Sequence, residues 1–194
     1  MGGEKLYTDD LLVDKVLKGD CKAFEILIKK HQGMVYNYLY KMTLSKEDSE
    51  DITQEVFIKA YNNLYKFEKR SNFSTWVFRI TINTLNTHFR YKKDYDLNKE
   101  EQIINLHCDS KDIPEEALEL KEKNKEVFKI LDSLNLEQKN AIVLKYIEGF
   151  SYREIGEILG INEDSAKMKV HRAKRKLCEL NKNKIGERGV LSEM

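Results

Sequence analysis

The stretch "FSYREIGEILGINEDSAKMKVHRAKRKLC", residues 150–178, decides the fold. Ser151 and Glu154 stand at capping-box spacing and open a short helix. Gly160 breaks that helix, and Asn162 caps a second, longer one. Ile155, Leu159 and Ile161 can pack against Ala166, Val170, Ala173 and Leu177, which follow at spacings of four, three and four. A short helix, a tight glycine turn and a longer helix with a free outer face make a helix-turn-helix.

The outer face of the second helix is cationic. Between 163 and 178 there are six Lys or Arg, at 167, 169, 172, 174, 175 and 176, with His171 among them. The acidic Glu163 and Asp164 sit at the helix start, where the dipole favours them. Such a face neutralises phosphates and releases counterions. Ser165, Lys167, Met168, Lys169, His171, Arg172, Lys174 and Arg175 are the candidate contacts to duplex DNA, the earliest of them lying where a recognition helix meets base edges. The competing reading is a solvated basic helix on a scaffold.

Upstream the chain is helical in pattern. Asp20 can cap a helix carrying Ala23, Phe24, Leu27 and Ile28, and Val35, Leu39 and Met42 continue the pattern in a second helix. A third holds Ile52, Val56, Phe57, Ala60 and Leu64. Residues 70–93, "RSNFSTWVFRITINTLNTHFRYKK", give a fourth, with two stripes. Phe78, Ile82, Leu85 and Phe89 belong to a core; Trp76, Arg79, Asn83, Asn86, Arg90 and Lys93 lie about a quarter turn away. That second stripe is either a solvated face or a surface for something flat and anionic. Asn135 with Gln138 caps a further helix, with Ala141, Leu144, Tyr146 and Ile147 on it. Nothing alternates with the period of a strand.

Composition agrees: one proline and nine glycines in 194 residues suit an all-α protein. The net charge of +1 hides a pattern. Residues 1–93 carry 16 basic and 12 acidic side chains, 94–122 carry 3 and 10, and 123–194 carry 15 and 11. Two basic blocks flank an acidic one, either a solvated linker or a segment that repels polyanions. The reading is two small helical domains, 1–93 and 114–194, joined by a flexible acidic linker, 94–113, with a fraying polar tail after 180. The N-terminus lacks the apolar core of a signal peptide and no run is long enough to span a bilayer, so a cytoplasmic protein without membrane insertion is expected. Cys21, Cys108 and Cys178 are odd in number and far apart, which argues against a disulfide framework or a cysteine-built zinc site; no metal or other cofactor is expected.

The order of these motifs resembles the extracytoplasmic-function sigma factors, the compact two-domain branch of the bacterial primary sigma family, over about residues 15–180. "DITQEVFIKAYNNL" looks like the family's polymerase-binding helix, "FSTWVFRITINTLNTHFR" like its promoter-melting segment, and residues 134–177 like its C-terminal domain. The resemblance implies an initiation factor for a specific regulon, of the stress- or envelope-response kind, that binds core RNA polymerase and promoter DNA. Its polymerase contacts would be the beta-prime clamp coiled coil, through Asp51, Gln54, Glu55, Phe57 and Ile58, and the beta subunit. The helix-turn-helix would read a duplex minus-35 element. Phe73 and Trp76 would stack bases of the melted minus-10 strand, Asn83 and Asn86 would read base edges, and Arg79, Arg90, Lys92 and Lys93 would hold phosphates. Trp76 also fits a core position. The linker would thread the polymerase's active-site channel, and an anti-sigma protein would be a further partner. Met168 departs from the small Ser common in the family, so promoter sequence does not transfer by analogy.

Two other classes compete. A conventional two-domain helix-turn-helix regulator acting on duplex operators would leave residues 70–93 and the helix at 48–64 without a task. An enzyme has only His107-Cys108-Asp109 as a compact reactive cluster, placed in the linker where a fixed site is hard to build, so no catalysis is expected.

Overall fold

The computed structural model of the protein describes residues 8–97, 131 and 134–190, without the side chains of 93–97 and 180–190. Among the described residues there are helices and no strands. The N-terminal group is α1 (Asp9–Leu17), α2 (Cys21–Thr43), α3 (Lys46–Asn63), a 3-10 turn (Leu64–Lys66) and α4 (Phe73–Leu97). The C-terminal group is α5 (Leu136–Tyr146), α6 (Tyr152–Leu159) and α7 (Glu163–Val190).

The helix starts follow the caps read from the sequence. Asp20 accepts from Lys22 N at 3.1 Å, Asn135 from Gln138 N at 2.9 Å and Asn162 from Ser165 N at 2.7 Å. Ser151 and Glu154 close both halves of the capping box. Each bond satisfies a backbone donor that the first turn leaves without a partner. Gly160 takes φ +68°, the left-handed value that ends α6. Gly156 makes the turn close: a Cβ there would stand 2.7 Å from the Ile161 carbonyl oxygen.

Three features differ from the sequence reading. The two helices expected between 20 and 43 are one, α2, because Leu27, His31, Val35, Leu39 and Met42 keep one buried stripe through Gly33. Helix α1 went unrecognised; it buries Leu12 and Val13 and is tied down by Asp9, which pairs with Lys30 at 2.6 Å and His31 at 3.0 Å. The backbone of α7 stays helical to Val190, where the polar composition suggested fraying; Lys, Glu and Arg lose little rotamer freedom in a helix. Tyr146 and Ile147, at the C-terminal end of α5, are exposed.

The two groups touch. Phe150, in the α5–α6 loop, packs edge-on against Phe78 of α4 with ring centroids 4.9 Å apart. The buried Tyr38 hydroxyl donates to Asn140 Oδ1 at 2.9 Å, and Lys41 pairs with Glu148 at 2.8 Å. Burial, with Glu148 nearby, pushes the Tyr38 hydroxyl far above its usual range, so it stays a donor. The backbone of α4 runs helically through residues 94–97, the first part of the acidic linker expected at 94–113; the rest of that segment, with His107-Cys108-Asp109, lies outside the described residues.

Candidate nucleic-acid and partner interfaces

Three surfaces carry the candidate residues. On α7, Ala166, Val170 and Ala173 are fully buried against α5 and α6, so the opposite side must face water. Lys167, Met168, His171, Arg172, Lys174 and Arg175 are exposed there, with Ser165 half-buried at the helix start. Three cations have partners. Lys169 leans back to Glu137 of α5, Lys174 lies 6.0 Å from the Tyr146 ring centroid, and Arg175 pairs with Glu179 one turn on at 3.8 Å.

On α4, Phe78, Ile82 and Leu85 are buried while Arg79, Asn83, Asn86 and Arg90 are exposed, the two-stripe division read from the spacing. Phe89 is half-buried, and the side chain of Lys93 lies outside the described residues. Phe73 requires a correction. It is 1% exposed, held between His31 (tilted, 5.2 Å) and Phe67 (edge-on, 5.6 Å), so it is a core anchor and not a platform for bases. Trp76 takes both of its readings: one side packs on Phe67 and Phe73 at 5.4 and 5.7 Å, and the ring stays half-buried at the surface.

Beside Trp76 lies a cavity of about 330 Å³ bounded by Arg70, Ser71, Thr75, Arg79 and, from α6, Glu157. The Thr75 hydroxyl is buried and makes no hydrogen bond. A buried hydroxyl without a partner costs free energy that a bound polar group recovers. Arg70, Ser71 and Thr75 were missed in the sequence, where an Arg-Ser pair before a helix and a Thr in its first turn look like ordinary turn and helix-start chemistry. A second cavity, of about 350 Å³, is bounded by Asn83 and Asn86 on one side and by Asn140, Glu137, Ile158 and Lys169 on the other.

On α3, Asp51, Gln54, Glu55 and Ile58 are exposed, Ile58 at 61%. Phe57 is buried and contributes only its edge to a groove of about 450 Å³ between α2 and α3. Phe24, Ile28, Gln54, Ile58 and Tyr61 complete that groove. Tyr61 sits edge-on to Phe24 at 5.0 Å, and its hydroxyl meets Cys21 Sγ at 3.6 Å, a contact that raises its pKa. The apolar groove was not visible in the sequence, because Ile28 and Phe24 read simply as core. Among the described residues no helix is long and apolar enough to cross a membrane.

A cationic helix-turn-helix, a separate polar helix face beside an aromatic cavity, and a third face of mixed acidic and apolar character stand together on one helical chain, the make-up of a nucleic-acid-binding protein with a further partner face. The family model described as Sigma-70 region 2 matches residues 27–94, and that described as Sigma-70, region 4 matches residues 124–177. Among curated proteins the chain is 33% identical to the ECF RNA polymerase sigma-E factor of Haemophilus influenzae, covering 92% of this chain and 95% of that one. It is 34% identical to the ECF RNA polymerase sigma factor SigW of Bacillus subtilis, covering 85% and 92%. The chain belongs to the ECF RNA polymerase sigma factors, and its function is that of a sigma factor serving a specific regulon. The fold is shared with CnrH in complex with the cytosolic domain of CnrY (TM-score 0.68, 22% identity, 90% of this chain and 97% of that one). It is shared also with the sigma factor RpoE of Bartonella quintana in complex with the anti-sigma factor NepR (0.65, 24%, 83% and 98%).

Proposed function

We propose that the chain binds core RNA polymerase, holds duplex minus-35 DNA with α7 and traps the melted minus-10 strand along α4. Residues 1–93 carry the first and third tasks, 114–194 the second, and 94–113 connect them. The observation that carries the reading is the α4 face. Arg79, Asn83, Asn86 and Arg90 form a continuous exposed stripe that runs from a cavity holding Trp76 and the unpaired Thr75 hydroxyl. Cations for phosphates, amides for base edges and a recess for one flipped base suit an unstacked strand. A stacked base returns about 1–3 kcal/mol, against roughly 1.4 kcal/mol for each duplex step that is opened. Trapping a few bases therefore offsets much of the melting.

On α7, Lys167, Met168, His171 and Arg172 are the base and phosphate contacts, with Ser165, Lys174 and Arg175 at the flanks and Lys169 available once it leaves Glu137. On α3, Asp51, Gln54, Glu55 and Ile58 with the edge of Phe57 meet a basic partner helix, that of the polymerase clamp, and the groove beside them receives an apolar side chain. An anti-sigma protein is a further partner, by analogy with the complexes of CnrH and RpoE. The acidic segment mimics a polyanion inside the polymerase; replacing its carboxylates by amides between 94 and 112 should shift the ratio of abortive to full-length transcripts.

Run-off transcription with purified core polymerase and genomic promoter fragments tests the reading. Specific starts that require the protein support it. Tight operator binding without polymerase, and no starts, would transfer the chain to the duplex-operator regulators. The α4 stripe is the observation against that alternative, because such a regulator has no use for it.

A further inference from the structure

The outer face of α7 carries one side chain of the wrong chemistry for a phosphate-binding surface. Ala166, Val170 and Ala173 are buried, and they fix which way the helix faces. At about 100° per residue, Met168 lies nearly opposite the centre of that stripe, with His171 and Arg172 on either side of it. It is 53% exposed, and among the described residues it is the one large apolar side chain that α7 turns to solvent. Leu177 of the same helix is instead packed against the core. Lone apolar side chains on a protein surface are common and need no function. The position of this one sets it apart. It stands in the second turn of α7, among cations, where a recognition helix meets base edges. That turn is firmly held: Asn162 caps the helix through Ser165 N, and Gly156 seats α6 against the Ile161 carbonyl.

We propose that Met168 is a specificity-determining residue of this chain: its thioether side chain seats against the C5-methyl group of a thymine in the duplex minus-35 element. The proposal rests on the duplex reading of α7 and names one feature of the sequence that the helix reads. Lys167 and Arg172 donate to phosphates or to guanine, and His171 can donate or accept. A methionine side chain offers the groove no donor and only a weak acceptor. The thymine methyl is the apolar group that base edges present in the major groove, so it is the feature that Met168 is equipped to recognise. Packing the two together removes both from water. The unbranched side chain has the reach and adaptability for this, while the flanking cations fix the helix on the backbone without reading sequence. A short hydroxyl side chain here would instead hydrogen-bond to either kind of base pair.

The test uses holoenzyme, assembled from the full chain and core polymerase, on a promoter found by run-off transcription. Thymines of the minus-35 element are replaced one at a time, on both strands, by deoxyuridine, which lacks only the methyl group. Equilibrium binding to the labelled duplex should weaken about fourfold at one thymine, the worth of one buried methyl group. With Met168→Ala, thymine and deoxyuridine should bind alike at that position. Met168→Leu, which keeps an apolar side chain of similar size, should keep most of the preference. The site is an exposed helical one, and an unchanged thermal midpoint checks that both variants fold. A minus-35 element without thymine, binding insensitive to every deoxyuridine, or a sensitivity that survives Met168→Ala unchanged each overturns the proposal. A separate arm judges the duplex reading. If scrambling the minus-35 element, Lys167→Ala and Arg172→Ala all leave holoenzyme binding unaltered, α7 does not hold the duplex, and the thymine contact falls with it. If those changes weaken binding while no methyl group is read, the duplex reading stands and the thymine contact alone is overturned.

Discussion

Helices α4 and α7 are built alike and resolve differently. Each is long, 25 and 28 residues, with an apolar stripe inward and a polar, cationic stripe outward. The inner stripe of α7 is made of small residues, Ala166, Val170 and Ala173, that have no other role to play. The inner side of α4 is aromatic, and an aromatic at the start of a helix can turn either to the core or to a base. Neighbours distant in the chain decide. His31 of α2 and Phe67 after α3 take Phe73 inward, and Trp76 is left at the border. An amphipathic helix is thus readable residue by residue when its core side is small. It becomes ambiguous where a side chain is large enough to serve either face.

The sharpest way to break this contrast is to truncate both aromatics. Phe73→Ala should cost about 3–5 kcal/mol in urea-induced unfolding, the usual range for a fully buried Phe. Trp76→Ala should cost less stability yet impair promoter opening, read by permanganate footprinting of the minus-10 region. A nearly neutral Phe73→Ala with a selective melting defect would return Phe73 to the DNA face.

A backbone test of the other helix comes next in size. Gly156→Ala drives a Cβ against the Ile161 carbonyl oxygen, an atom that cannot swing aside. We expect a loss of about 1–3 kcal/mol, as for overpacking, with weaker minus-35 binding because α6 no longer seats α7. Unchanged stability would mean that the helix-turn-helix has more slack than its caps and turn imply.

How much was legible follows the same division. The caps at Asp20, Asn135, Ser151 and Asn162 were read correctly because a cap is settled within four residues. The exposed stripe of α4 and the buried stripe of α7 followed from helical period. Three things were out of reach. Helix α1 is held by Asp9 reaching Lys30 and His31, some twenty residues away. The cavity beside Trp76 needs Glu157 from the other half of the chain. The contact between the halves depends on pairs such as Tyr38 with Asn140, which no local pattern encodes.

The duplex side of the comparison can be sharpened with salt. Arg172 is exposed on α7, so Arg172→Ala should leave stability within about 0.5 kcal/mol. If it holds a phosphate, the slope of log affinity against log salt for minus-35 binding by holoenzyme should fall by about one. An unchanged slope with relaxed sequence preference would make it a base contact instead.

The smallest effect concerns the wall that turns Phe73 inward. Burial lowers the His31 pKa below 6.5, more than its bond to Asp9 raises it, and the Lys30 charge adds to the lowering. The neutral ring is therefore the form that the fold prefers. As pH falls below about 6.5 the unfolded chain takes up this proton first, so stability is full above that value and declines toward the folded pKa. A thermal midpoint measured from pH 7.5 to 5.5 should fall, and His31→Gln, which can still bond Asp9, should flatten that slope while α1 stays docked. If the slope survives the substitution, another group sets it. If the midpoint instead rises on acidification, His31 is held charged by Asp9, and the inward turn of Phe73 rests on a cation and not on a neutral ring.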